Sequence, residues 1–91
     1  MSSRKVRAHP DVVFQKLGDE SVLLNLRTGV YWGLNPTGAV IWDELVRHGD
    51  PARTVETLQT KFAGSPAEMG STVQKLLDDL SREGLVVVDE A

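Results

Sequence analysis

The chain has no cysteine, and that removes disulfides, thiolate nucleophiles and cysteine-held zinc or iron–sulfur clusters together. Histidine is nearly as scarce. His9 lies near the start, and His48 falls at the end of a predicted helix, where a protonated imidazole is favoured, so no metal site is expected at either. The phosphate-cradling patterns GxGxxG and GxxxxGK are absent, and nothing places a serine or threonine beside a histidine base. Asp78 and Asp79 are the most conspicuous carboxylate pair, but neighbours on a helix point about 100° apart and cannot act on one bond. An enzyme is therefore not expected, nor a cofactor of its own. No apolar run is long enough to span a membrane. The basic start MSSRKVR leads into HPDVVF with no apolar signal region, so a cytoplasmic protein without a membrane partner is expected. The formal net charge of −3 has the wrong sign for a protein that coats phosphates, so no nucleic-acid partner is expected either.

What the chain does have is the composition of an ordinary globule, 41 % hydrophobic and 25 % charged, which excludes intrinsic disorder as its main state. Ninety-one residues support one small core, so residues 1–91 are read as a single domain, with residues 1–8 as a disordered arm carrying Arg4, Lys5 and Arg7. The first strand is read over Val12–Leu17. The pair Gly18-Asp19 suits a two-residue hairpin that sets Leu17 opposite Glu20. A second hairpin follows, with Arg27-Thr28-Gly29 as its loop. Pairing Leu26 with Val30 would also set Leu24 opposite Trp32 and Val22 opposite Leu34, placing six large apolar side chains on one face. Phe14, Leu23 and Tyr31 would then share the other face.

Three helices follow, each announced by a cap and a proline. Asn35-Pro36 opens the first, whose buried stripe is read as Ile41, Trp42, Leu45 and Val46. Asp50-Pro51 opens the second, with Val55, Leu58 and Phe62 inward. Ser65-Pro66-Ala67-Glu68 is a capping box for the third, in which Met69, Val73, Leu76, Leu77 and Leu80 share a face before Gly84 stops it. Leu85–Val88 reads as a last extended segment. The expected fold class is α+β and winged helix-turn-helix-like, a three-stranded antiparallel N-terminal sheet followed by three helices.

Without a catalytic set, function has to come from a surface. In a meander the third strand pairs only with the second, so Val30, Tyr31, Trp32, Gly33 and Leu34 would offer a row of unpaired amides and carbonyls to an extended peptide. Helix three would wall such a groove with the flank that carries Gly70, Gln74, Leu77 and Ser81. The flank carrying Thr72, Asp79 and Glu83 is read as solvent-facing.

The ordered pieces Val22-Leu23-Leu24-Asn25-Leu26, Thr28-Gly29, Tyr31, Leu34-Asn35, Thr37-Gly38 and Ile41-Trp42 resemble the PqqD-like family, the prototype of the recognition element for ribosomally made, modified peptides. The likeness runs from about His9 to Val88. It implies a non-catalytic, free-standing chaperone that binds the leader segment of a precursor peptide as an added strand and presents it to a modifying enzyme. That enzyme would be a radical S-adenosylmethionine enzyme, a peptidase or a cyclase, and any iron–sulfur cofactor would belong to it. Carried over by position, the peptide-binding residues are Val30, Tyr31, Trp32, Gly33 and Leu34 on the strand and Gln74, Lys75, Leu77, Asp78 and Ser81 on the helix, with Trp32 and Leu34 mainly core. Two other readings stay open on the same fold. One is a DNA-binding regulator, against which helix three sets Glu68, Asp78, Asp79 and Glu83 beside only Lys75 and Arg82. The other is a structural homodimer built on the Phe14, Leu23 and Tyr31 face.

Overall fold

Backbone turns set the order of the elements in the computed structural model, which describes residues 4–90. The strands are β1 (Arg4–Ala8), β2 (Val12–Leu17), β3 (Glu20–Asn25), β4 (Tyr31–Leu34) and, after the helices, β5 (Val86–Glu90). The helices are α1 (Pro36–His48), α2 (Pro51–Lys61) and α3 (Pro66–Arg82). Strands β2, β3 and β4 form an antiparallel meander, while β1 and β5 pair with each other in a second, two-stranded sheet. The fold is α+β and matches a winged helix-turn-helix arrangement. No helix among the described residues is long and apolar enough to cross a membrane.

Gly18, at φ +64°, makes the β2–β3 turn, and the pairs Leu17–Glu20, Gln15–Val22 and Val13–Leu24 form as the sequence predicts. The β3–β4 hairpin does not. Its pairs are Ser21–Leu34, Val22–Gly33, Leu23–Trp32 and Leu24–Tyr31, one residue away from the expected register. The cause is Asn25. Its backbone N–H donates to the Val30 carbonyl at 2.9 Å, and its carbonyl accepts from Gly29 N–H at 2.8 Å. The side-chain Oδ1 also accepts from the N–H groups of Arg27 at 2.9 Å and Thr28 at 3.1 Å. An asparagine that bonds the backbone two residues on starts its own turn. The turn therefore begins at Asn25, and Leu26 falls inside it.

A one-residue slip exchanges the two faces of a strand. Leu23 is consequently fully buried, with Trp32 and Leu34 on its side, and Leu26 is 65 % exposed. Val13, Leu24 and Tyr31 form the row on the opposite face. Phe14 lies at the margin of the inner face and remains 45 % exposed.

Each helix begins as its cap residues dictate. Asn35 Oδ1 accepts from Gly38 N–H, Asp50 from Ala52 N–H, and Ser65 Oγ from Glu68 N–H, each with proline at the first helical position. In α1 the buried stripe is Ile41, Trp42, Glu44 and Leu45, and Val46 points outward. The Glu44 carboxylate is buried and accompanied by His48 Nε2 at 3.1 Å and Lys61 Nζ at 3.8 Å, so a contact with this carboxylate accounts for His48. Phe62 caps the end of α2 and stays partly exposed. In α3 the core residues are Met69, Val73, Leu77 and Leu80, and Leu76 is only half-buried.

The expectation of a disordered arm over residues 1–8 is corrected for residues 4–8, which form β1; residues 1–3 lie outside the described residues. Val6 is buried and its N–H donates to the Gly49 carbonyl at 2.9 Å, while Val6 and Val88 pair across to β5. Pairing between the two chain ends leaves no local sequence signal, since only Val6 is apolar between Arg4 and Arg7.

The register predicts an unequal effect of two leucines in β3 and its turn. Leu23→Ala should cost about 2–5 kcal/mol in urea unfolding. Leu26→Ala should change stability by less than about 0.5 kcal/mol. Equal losses would contradict the observed pairing.

Candidate functional site

Strand β4 lies at the margin of its sheet, hydrogen-bonded to β3 on one side only. In an antiparallel ladder, residues alternate between those whose N–H and C=O point to the partner strand and those whose groups point away. The bond from Asn25 N–H to the Val30 carbonyl fixes the phase. Val30, Trp32 and Leu34 direct their backbone groups to β3, so Tyr31 and Gly33 direct theirs to the open edge. Tyr31 is 64 % exposed and Gly33 is exposed as well. A Cβ placed on Gly33 would meet no atom within 4 Å, so the face of the sheet is open at that position.

Three shallow clefts lie along β4 and among the start of α1, α2 and α3. One of about 260 Å³ follows β4 itself and is lined by Glu20, Val22, Tyr31, Gly33 and Pro36 among others. A second, of about 330 Å³, lies where β4 passes into α1 and faces α3; it is lined by Asn35, Thr37, Gly38 and Ile41 on one side and by Thr72, Lys75, Leu76 and Asp79 on the other. The third, about 250 Å³, continues from it through Thr37, Ile41 and Thr72 to Leu58, Phe62 and Met69. Helix α3 packs against α2 and β5, which leaves this space between it and β4.

The structure sorts the sequence-predicted residues into four groups. Tyr31 and Gly33 present backbone at the edge, and Lys75 lines the cleft. Trp32 is half-buried and Leu34 buried, so both support the edge from the core side. Val30 has its carbonyl bonded to Asn25 and its N–H donating to Thr28 Oγ1 at 3.2 Å, which spends its polar groups on the turn. The remaining helix residues fall elsewhere. Leu77 is 1 % exposed and belongs to the core, which corrects its placement on a groove wall. Gln74 Nε2 donates to Asp78 Oδ1 at 2.8 Å, one turn apart on α3, and neither they nor the exposed Ser81 line any of the three clefts.

The wall of the cleft is thus formed by Thr72, Lys75, Leu76 and Asp79 of α3, of which pattern alone assigns Thr72 and Asp79 to solvent. An amphipathic stripe shows which side of a helix is buried but not which flank meets a given strand. One signal was present: Leu76 is apolar and lies beside the buried stripe, on this flank. The carboxylate of Asp79 accepts from Arg82 at 2.6 Å, and Lys75 has no ion-pair partner among the described residues. Among the described residues there is no group of three or more histidine, cysteine or acidic side chains that could hold a metal ion.

A winged-helix-like α+β domain with an open strand edge beside a helix-walled cleft is the class that fold and site define. Residues 20–86 match the family described as coenzyme PQQ synthesis protein D (PqqD), and the chain belongs to that family. Among solved structures it is similar to TbiB1 in complex with the TbiA(beta) leader peptide, at 28 % identity over 88 % of this chain and 93 % of that one, with a TM-score of 0.81. It is also similar to lasso peptide synthetase B1 complexed with the leader peptide, at 25 % identity over 91 % and 98 % of the two chains, with a TM-score of 0.83. Comparison with curated proteins returned no match.

The alternation along β4 is directly measurable by amide hydrogen exchange on the free protein. Trp32 and Leu34 amides should be protected, and those of Tyr31 and Gly33 should exchange at close to unstructured rates. Protection of Tyr31 and Gly33 with rapid exchange of Trp32 would reverse the assigned edge.

Proposed function

We propose that this protein is a cytoplasmic, non-catalytic adaptor that binds the leader segment of a ribosomally made precursor peptide and presents it to a modifying enzyme. The observation that carries this reading is the open β4 edge, where Tyr31 and Gly33 hold out backbone donors and acceptors along a cleft of about 260 Å³, with the α3-walled cleft of about 330 Å³ meeting it at Asn35. Strand addition to such an edge takes affinity from main-chain hydrogen bonds and specificity from side-chain pockets. Tyr31 and Gly33 would supply the first. Thr72, Lys75, Leu76 and Asp79 would supply the second, with Trp32 and Leu34 holding the strand in place. Support also comes from the two similar solved structures, both leader-peptide complexes, at 28 % and 25 % identity. The enzyme served would be a radical S-adenosylmethionine enzyme, a peptidase or a cyclase. Duplex DNA is a poorer fit, because α3 carries Glu68, Asp78, Asp79 and Glu83 against Lys75 and Arg82.

A synthetic peptide of the leader sequence encoded beside this gene tests the reading. Titration into isotopically labelled protein should move the amide resonances of residues 31–34 and of Thr72–Asp79. Tyr31→Pro removes a donor at the edge and should weaken binding about 10- to 100-fold, the effect of one lost bond and an unsatisfied peptide carbonyl. Tyr31→Ala keeps the amide and should weaken it less. Unmoved β4 resonances at saturating peptide would sink the proposal.

A further inference from the structure

Asn25 has polar groups enough for a ligand, yet every one of them is spent inside the protein and the residue is only 1 % exposed. Its backbone and Oδ1 close the β3–β4 turn. Its Nδ2 does something different: it donates at 3.0 Å to the carbonyl of Gly84, 59 residues away, in the turn that ends α3. Gly84 holds that turn at φ +72°, a conformation that side-chain-bearing residues rarely adopt. The Asn25–Gly84 bond therefore ties the loop that leads into β4 to the end of the helix that walls the groove.

The two ends of the groove are then built differently. At one end, the middle of α3 faces the β4–α1 junction across the cleft lined by Asn35, Thr72, Lys75 and Asp79. At the other end, the C-terminus of α3 is fastened to the turn before β4 through Asn25. A buried amide costs desolvation unless its polar atoms are paired, and here Oδ1 and Nδ2 each have a partner. Such a bond sets a distance as well as contributing stability.

We propose that Asn25 is a positioning residue for peptide binding: without touching the peptide, it fixes the separation between the β4 edge and α3 by bonding the β3–β4 turn and the Gly84 carbonyl at once. This rests on the leader-peptide reading above. The groove would then be pre-organised, so that an incoming strand finds edge and wall already in register.

Asn25→Asp separates the two tasks of the side chain. Aspartate keeps oxygen acceptors for Arg27 and Thr28 but turns a second oxygen on the Gly84 carbonyl, so the turn survives and the tie is broken. Asn25→Ala loses both. With the synthetic leader peptide, Asn25→Asp should retain the wild-type circular dichroism spectrum and bind about tenfold more weakly. Binding by Asn25→Asp within about twofold of wild type, with only Asn25→Ala impaired, would overturn the proposal and leave Asn25 a turn residue. Should the aspartate variant fail to fold, the wild-type protein decides the matter. Coupling is reciprocal, so saturating peptide should slow hydrogen exchange of the Asn25 side-chain amide about tenfold. Unchanged exchange in a complex whose β4 resonances do shift would overturn the inference alone. A wild-type protein that binds no leader peptide would overturn the reading and the inference with it.

Discussion

Closure of the β3–β4 turn by Asn25 decides where every side chain of β4 lands. Starting the turn at Asn25 pairs Leu23 with Trp32 and Ser21 with Leu34, which turns Trp32 and Leu34 toward the helices and Tyr31 and Gly33 toward the free margin. A turn one residue later would bury a different set and rotate the edge amides toward β3. The fully buried Leu23 and the half-buried Trp32 are consequences of that choice, as is the exposure of Leu26. The same asparagine then reaches across to Gly84, so local turn chemistry and the long-range placement of α3 depend on one side chain.

The margin so produced lacks the usual guards. Edge strands are commonly blunted by charge, proline or a bulge, because an unpaired ladder recruits other chains. From Val30 to Asn35 there is no charged residue and no proline before Pro36. What limits promiscuity is length. Four residues, of which two face outward, offer only a few ladder bonds at about 0.5–1.5 kcal/mol each, too little to hold an arbitrary strand tightly. A peptide held there needs side-chain contacts in addition, and the Thr72, Lys75, Leu76 and Asp79 flank is where they are available.

Most of the architecture was legible in the residues, for reasons that differ by element. All three helix starts follow from a cap residue next to proline, and the three caps form as expected because cap chemistry is local. The Gly18-Asp19 hairpin was legible for the same reason. The second hairpin was not, because Val22-Leu23-Leu24 is apolar on both faces and leaves the register to the turn, where the Asn25 side chain outweighs the apolar pattern. Pairing of β1 with β5 was invisible, since it joins residues 78 to 86 apart with Val6 as the one buried side chain described in β1. At the site, the strand half could be read and the helix half could not. Periodicity found the four buried residues of α3 and added the half-buried Leu76, yet which flank faces the start of α1 depends on how α3 packs on α2 and β5.

That division between strand and helix has a consequence for how such a groove diverges. Main-chain groups at Tyr31 and Gly33 are insensitive to side-chain identity provided that the register holds and position 33 stays small enough for a close strand. The wall of α3 has no such protection, because each substitution there changes what it can accept. A fold shared with TbiB1 at a TM-score of 0.81 and only 28 % identity leaves room for different side chains along such a wall. Lys75 and Asp79 illustrate this: they place opposite charges one turn apart on the cleft wall, with Leu76 between them. Asp79 is already paired with Arg82, so for a strand added to β4 as proposed, retention would rest on the main chain of Tyr31 and Gly33 and selectivity on the remaining groups of this wall.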